Sequence, residues 1–447
     1  MRWEKLISDK RFGLEDYHDP LRGLRARSDF QRDFDRLVFS SPFRRLQNKT
    51  QVFPLPGSIF VHNRLTHSIE VASVGRSLAT EASIALRPKY ADTEAAPAIE
   101  SLGEIVGAAC LAHDLGNPPF GHSGEKAIST FFSEGPGAQF RGLLSPGQWA
   151  DLTCFDGNAN AFRLLTHQFH GRRAGGFAMT YSTLASIVKY PYDSTLAGNK
   201  NKFGFFTTER DSFVKVAEDL GIKRLDTPEG STRYVRHPLV YLVEAADDIC
   251  YEVMDIEDAH KLGIIPTERV IEHMLAFFDP AERDHKLERM NRVADPNEKI
   301  GYLRSAVIGE LVAASSATFV ANEEAILDGT FSGTLLKNIP DRLMNAYRAC
   351  CELSCDKIYQ APDVVDIELA GNRIISFLLE SLVDAVKNPH LNYSRLLLSK
   401  VPDQYDVHAQ ELFTRLQAVV DHVSAMTDVY ALDLYRRLNG FSLKINS

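Results

Sequence analysis

Apolar residues recur along this chain with the period of an α-helix. Leu102, Ile105, Val106, Ala109 and Cys110 fall at i, i+3, i+4, i+7 and i+8. Residues 99–113 therefore predict an amphipathic helix that runs into His113. Between 67 and 79, His67, Val71, Val74 and Leu78 share one face. Pro238 suits the first turn of a helix reaching about Asp258, on which Val240, Val243, Asp247, Tyr251 and Asp255 line up. The same periodicity predicts helices near 300–328, 340–356, 363–388 and 409–438. Alternating text is sparse, and only 203–206 and 232–236 read as short strands. Glycine and proline mark loops at 115–121, 135–148, 171–176 and 191–204. No internal repeat or low-complexity segment interrupts this pattern. The reading is an all-α protein with an N-terminal segment (1–29), a core (30–265) and a helical C-terminal region (266–447) that completes the same globular unit.

Composition narrows the class. The 447 residues are 44% apolar and 24% charged, which excludes collagen-like, disordered and disulfide-scaffold chains. A net charge of −9 makes the whole chain a poor partner for nucleic acid or an acidic membrane. The first fifty residues nevertheless carry 12 Lys and Arg against 8 Asp and Glu. Arg22, Arg25, Arg27, Arg32, Arg36, Arg44 and Arg45 form a basic cluster that could touch the phosphates of an effector nucleotide or of single-stranded nucleic acid. Six cysteines, with no CxxC among them, suit reduced thiols. The N-terminus does not read as a signal peptide, and no run of about 20 apolar residues occurs. A cytoplasmic protein without a membrane partner is expected.

The densest chemical text runs from Leu111 to Glu125, Leu-Ala-His-Asp-Leu-Gly-Asn-Pro-Pro-Phe-Gly-His-Ser-Gly-Glu. His113 and Asp114 end an apolar helix, where burying both side chains is costly unless something compensates, as a metal cation does. His67 opens one helix and Asp247 lies on another. Two imidazoles and two carboxylates (His67, His113, Asp114, Asp247) suit Mn²⁺, Mg²⁺, Fe²⁺, Co²⁺, Ni²⁺ or Zn²⁺ with positions left open for water and substrate.

The order His67, His113-Asp114, Asp247 resembles the HD-domain phosphohydrolases. The text from Phe43 to Phe53, from Arg64 to Ser68, from His113 to His122, from Glu244 to Tyr251 and from Met426 to Tyr430 resembles the deoxyguanosine triphosphate triphosphohydrolase family. The resemblance spans about residues 30–440 and implies an HD-domain helical fold with a helical C-terminal extension. It also implies metal-dependent cleavage of dGTP or several dNTPs to deoxynucleoside and inorganic triphosphate, by attack at the α-phosphorus. One divalent ion is implied, Mn or Mg foremost, with Co, Ni, Fe or Zn also suited to the donors. His122 would protonate the leaving 5′-oxygen, with Glu125 three residues on to hold it. Arg64, Lys189, Tyr190 and Lys202 would meet phosphate. Tyr251 would press on deoxyribose, Asp255 and Gln51 would bind the sugar, and Val52 and Arg373 would meet the base. A dNTP effector and a homo-oligomer, a hexamer in the family, are implied as well. Two other readings stay open: another HD-domain nucleotide phosphohydrolase, or a nucleotide-sensing or nucleic-acid-binding module.

Overall fold

The structure is a computed structural model and describes residues 1–17, 26–54 and 61–441. Its principal helices are α1 (Asp29–Val38), α2 (Arg64–Tyr90), α3 (Leu102–Ala112), α4 (Gly121–Ser133), α5 (Gly157–Thr166), α6 (Tyr181–Ile187), α7 (Leu239–Lys261), α8 (Pro296–Ala321), α9 (Asp341–Lys357), α10 (Pro362–Lys387), α11 (Leu412–Ser424) and α12 (Asp428–Leu438). The all-α expectation holds: no strand occurs among the described residues.

Four expected elements differ in detail. The segments 203–206 and 232–236 form only single bridges, Asp193 with Phe205, Tyr192 with Arg233 and Arg224 with Tyr234. Phe203, Phe205 and Phe206 are all buried, so the segment has no solvent face to alternate with. Phe205 instead stacks on Phe213 with ring centroids 4.5 Å apart. The expected 409–438 helix is two, broken where the Thr427 side chain accepts the Tyr430 N–H and starts α12 afresh. The 300–328 helix likewise breaks at Asn322.

Two apolar cores follow from which faces the helices bury. The first gathers α2, α3, α7 and α8, with Val71, Leu78, Ile105, Ile249 and Leu311 inside it. It runs without interruption across residue 265. The second is built from α4, α10, α11 and α12 around Phe132, Ile375, Leu379 and Val419. Each such side chain contributes about 1.5–3 kcal/mol when fully buried. Helix α8 is long and apolar enough to cross a membrane by length and composition. It packs instead on α2 and α7, with Ile300, Leu303, Val307, Leu311 and Phe319 buried. All six cysteines are free thiols, as expected.

Candidate active site

Helix α2 starts with a reciprocal cap: the Asn63 side chain accepts the Thr66 N–H, and the Thr66 hydroxyl accepts the Asn63 N–H. That start fixes the first turn, which carries Arg64 and His67. Helix α3 ends at Ala112, and its apolar face delivers His113 and Asp114 to the same place. His113 Nδ1 lies 2.6 Å from the Cys110 carbonyl, to which it donates. The Nε2 lone pair is thereby left facing the site, buried and without a hydrogen-bond partner. From α7, Asp247 Oδ1 stands 3.1 Å from His67 Nε2 and 3.4 Å from His113 Nε2.

His67, His113 and Asp247 each turn one donor atom into a space where all lie within 4.8 Å of one another. Asp114 borders it, with Oδ1 3.6 Å from His113 Nε2. Its Oδ2 accepts from Arg64 Nη1 at 2.8 Å and its Oδ1 accepts from Asn117 Nδ2. Burial works against the charged form of His113, yet the carboxylates of Asp114 and Asp247 outweigh it and raise the imidazole to about 9. Burial likewise opposes the Asp247 carboxylate, but the two imidazoles hold it well below its ordinary value. A field that holds a proton there also favours a divalent cation, and the orphaned Nε2 is the lone pair such a cation would take. The residues present therefore fit one divalent metal ion.

The loop after Asp114 folds back over this group. Phe120 adopts φ 61° and Gly121 φ 55°. Gly121 takes this positive φ without strain, and a Cβ there would meet Arg64 Nη2 at 2.5 Å, so the guanidinium would have to shift. Helix α4 then begins, and its first turn carries His122 and Glu125. His122 Nδ1 and Glu125 Oε2 are 2.9 Å apart. The Glu125 Oε1 accepts the Gly157 N–H at 2.7 Å from the start of α5. Lys202 Nζ sits 3.6 Å from Glu125 Oε2 and 3.4 Å from Asp156 Oδ2. The hydrogen bond to Glu125 raises His122 above its ordinary value. Burial pushes Glu125 up, but His122 and Lys202 outweigh it and hold the carboxylate well below its usual range.

Arg64, His113, Asp114, Asp247, His122 and Glu125 line one cavity of about 330 Å³, together with Gln51, Val52, Lys189, Tyr190, Lys202 and Tyr251, while the buried His67 is not part of its lining. Lys189 Nζ is 3.2 Å from the buried Glu244 carboxylate, which Arg236 holds from the other side at 2.9 Å. The Gln51 side-chain oxygen is buried and makes no hydrogen bond.

Two sequence-expected substrate residues stand outside the cavity. Asp255 is buried behind Tyr359, whose hydroxyl donates to Asp255 Oδ2 at 3.1 Å. Arg373 is exposed on α10. The cavity takes Val364, Ile367 and Glu368 from that helix. Five residues past Glu368 is roughly 140° around an α-helix, which turns Arg373 away.

Of the N-terminal arginines, Arg22 and Arg25 lie outside the described residues, and Arg27, Arg32, Arg36, Arg44 and Arg45 do not line this cavity. Arg32 and Arg36 border a separate hollow of about 600 Å³ with Asp29 and Glu15. The sequence reading missed Asn117, Asn158, Glu244, Tyr359 and Glu368. Asn117 and Asn158 stand beside legible motifs, but nothing local marks Tyr359 or Glu368.

The HD domain family matches residues 64–145, and the phosphohydrolase-associated domain matches residues 338–437. A Synechocystis protein named deoxyguanosinetriphosphate triphosphohydrolase-like is 36% identical over 99% of this chain and all of its own length. The chain belongs to the deoxyguanosinetriphosphate triphosphohydrolase-like family of HD-domain phosphohydrolases. A Pseudomonas aeruginosa protein of the same name is 33% identical over 99% of both chains. A Yersinia enterocolitica protein named deoxyguanosinetriphosphate triphosphohydrolase is 30% identical over 92% of this chain and 93% of its own. The HD match contains His67, His113, Asp114, His122 and Glu125, whereas Asp247 lies beyond it on α7. The phosphohydrolase-associated match contains Tyr359 and Glu368, so both matched segments supply residues to the cavity.

Proposed function

We propose that this protein hydrolyses deoxynucleoside triphosphates to deoxynucleoside and inorganic triphosphate, dGTP or several dNTPs being its substrates. One observation carries the reading: a single cavity is lined by His113 and Asp247 of the donor set that His67 completes, by the His122–Glu125 pair and by the Tyr251 ring. His67, His113 and Asp247, with Asp114 beside them, would hold a divalent cation, Mn or Mg foremost. When bound, such an ion supplies Lewis-acid stabilisation of charge on a phosphoryl oxygen.

The chain's own residues do the rest. Lys189, Lys202 and Arg64 supply positive charge along the cavity wall where a triphosphate would lie. His122 holds a proton on an exposed imidazole, directed by Glu125, ready for the departing 5′-oxygen. Tyr251 lies within ring contact of His67, centroids 6.5 Å apart, which supports a role for it against the sugar of a substrate held by the donor set. A ring pressed there leaves no room for a 2′-hydroxyl.

The test is incubation of each dNTP, singly and in pairs, with Mn²⁺ or Mg²⁺ and identification of the products. Inorganic triphosphate is expected, and His122→Asn should suppress it by about 100-fold or more while metal stays bound. Release of orthophosphate or a nucleoside monophosphate instead would assign the site to a different phosphohydrolase reaction.

A further inference from the structure

Phe120 sits in the left-handed region at φ 61°, ψ 21°, immediately before Gly121 and His122. A residue with a Cβ keeps that conformation only where its surroundings impose it. Its N–H donates to Asp428 Oδ1 at 2.9 Å. The other oxygen of the same carboxylate, Oδ2, accepts the Thr50 N–H at 2.7 Å. Thr50 immediately precedes Gln51 and Val52. One buried carboxylate on the first turn of α12 therefore ties together two chain segments that border the cavity, 308 and 378 residues away in sequence.

Three further contacts hold the same loop from the C-terminal helices. The Phe120 side chain lies on Gly371 of α10, where a Cβ would stand 2.6 Å from Phe120 Cβ. Ser123 Oγ donates to the Glu368 carbonyl at 2.6 Å. Lys49 Nζ donates both to the Ser424 carbonyl, at 3.0 Å, and to the Asn117 carbonyl.

We propose that Asp428 is a positioning residue, fixing His122 through the Phe120 amide and Gln51 through the Thr50 amide. Its carboxylate is suited to this task because it is acceptor-only and serves two N–H donors from two segments. An asparagine would keep one acceptor and turn its own N–H toward a backbone N–H. The inference rests on the reading of His122 as the proton donor in dNTP hydrolysis.

The test compares Asp428→Asn and Gly371→Ala, each made in the parent protein and in His122→Asn. A loop displaced by about 1 Å costs on the order of 100-fold in rate. Asp428→Asn should therefore lower kcat by about 10- to 100-fold in the parent with bound-metal stoichiometry unchanged. In His122→Asn the same substitution should cost clearly less than in the parent, because the part that acts through His122 is already removed and only the part through Gln51 remains. Gly371→Ala should show the same pattern, since its methyl displaces Phe120 by a different route. An equal loss in both backgrounds, or a parent rate within about twofold of the unsubstituted protein, overturns the proposal.

Amide hydrogen exchange reads the clamp without activity. Phe120 and Thr50 should lose protection together in Asp428→Asn, and unchanged protection at both overturns it. Should the unsubstituted protein release no triphosphate from any dNTP, the proposed function fails, and the amide result alone decides whether Asp428 holds the loop.

Discussion

His122 is exposed, with 78% of its side chain accessible, while the carboxylate it leans on is almost wholly covered. The contrast suits a proton donor that must reach substrate yet be aimed from behind. The sign of its pH dependence follows from Glu125. That carboxylate raises the imidazole's pKa, so the imidazolium persists to higher pH than usual. An acid catalyst acts while protonated, so kcat/KM should fall as pH rises through the raised value. Glu125→Gln removes the cause, and the alkaline limb should then move to lower pH. Rate profiles of the two proteins at matched metal content check this, and an unmoved limb would count against the pairing. Tyr251 offers a second residue-scale test. Tyr251→Ala should narrow the ratio of deoxynucleotide to ribonucleotide turnover by about tenfold or more, read from competing substrates.

Helix α2 reaches the site because its entry is tied down on both sides. His62, two residues before Arg64, places Nδ1 2.9 Å from Asp258 of α7 and Nε2 3.1 Å from Glu70 of α2. Its backbone N–H also donates to Asp258 at 2.7 Å. Burial opposes the charged ring, but the two carboxylates outweigh it and raise His62 from 6.5 to about 10. A pKa raised in the folded state means stability that is fully present below the unfolded value and lost as pH climbs through the folded one. The His62 contribution should therefore be complete below about pH 6.5 and fade as pH passes about 10. His62→Gln should melt several degrees below the parent near neutral pH, and the gap should close in alkali. Calorimetry of both proteins across that range measures it. A gap independent of pH would mean that packing, not charge, is what His62 supplies.

The two apolar cores meet at the loop before α4, which leaves the first core at His113 and enters the second through α4. Ala127, Ile128, Phe131 and Phe132 of α4 are buried in that second core. A chain ending at residue 337 would expose this face and would lack Tyr359, Glu368 and Asp428. It should aggregate on expression, and any soluble fraction should show no dNTP hydrolysis. Soluble yield and product analysis measure both. A monomeric, active truncation would show that the first core builds the site alone.

Helical class and the side chains that gather at the cavity were legible in the chain because each rests on short-range geometry. His113 and Asp114 are adjacent at the end of one apolar helix, and His122 and Glu125 are three apart in a first turn. Asp247 and Tyr251 lie one turn apart on α7. Helix periodicity turns such spacings into faces, so these side chains could be assigned before any fold was known. Asp255 shows where that argument stops: it shares their face, yet Tyr359 from a distant helix end covers it. Arg373 shows the same from the other side, since its helix lines the cavity with residues five and more positions earlier. Tyr359 and Glu368 had no local signal, and Asp428 stood in a recognisable segment with nothing to show its task, because each acts on partners a hundred or more residues away. Spacing along a helix fixes which side chains can act together. Only the packing of α10 and α12 against the loop before α4 decides what closes the cavity around them.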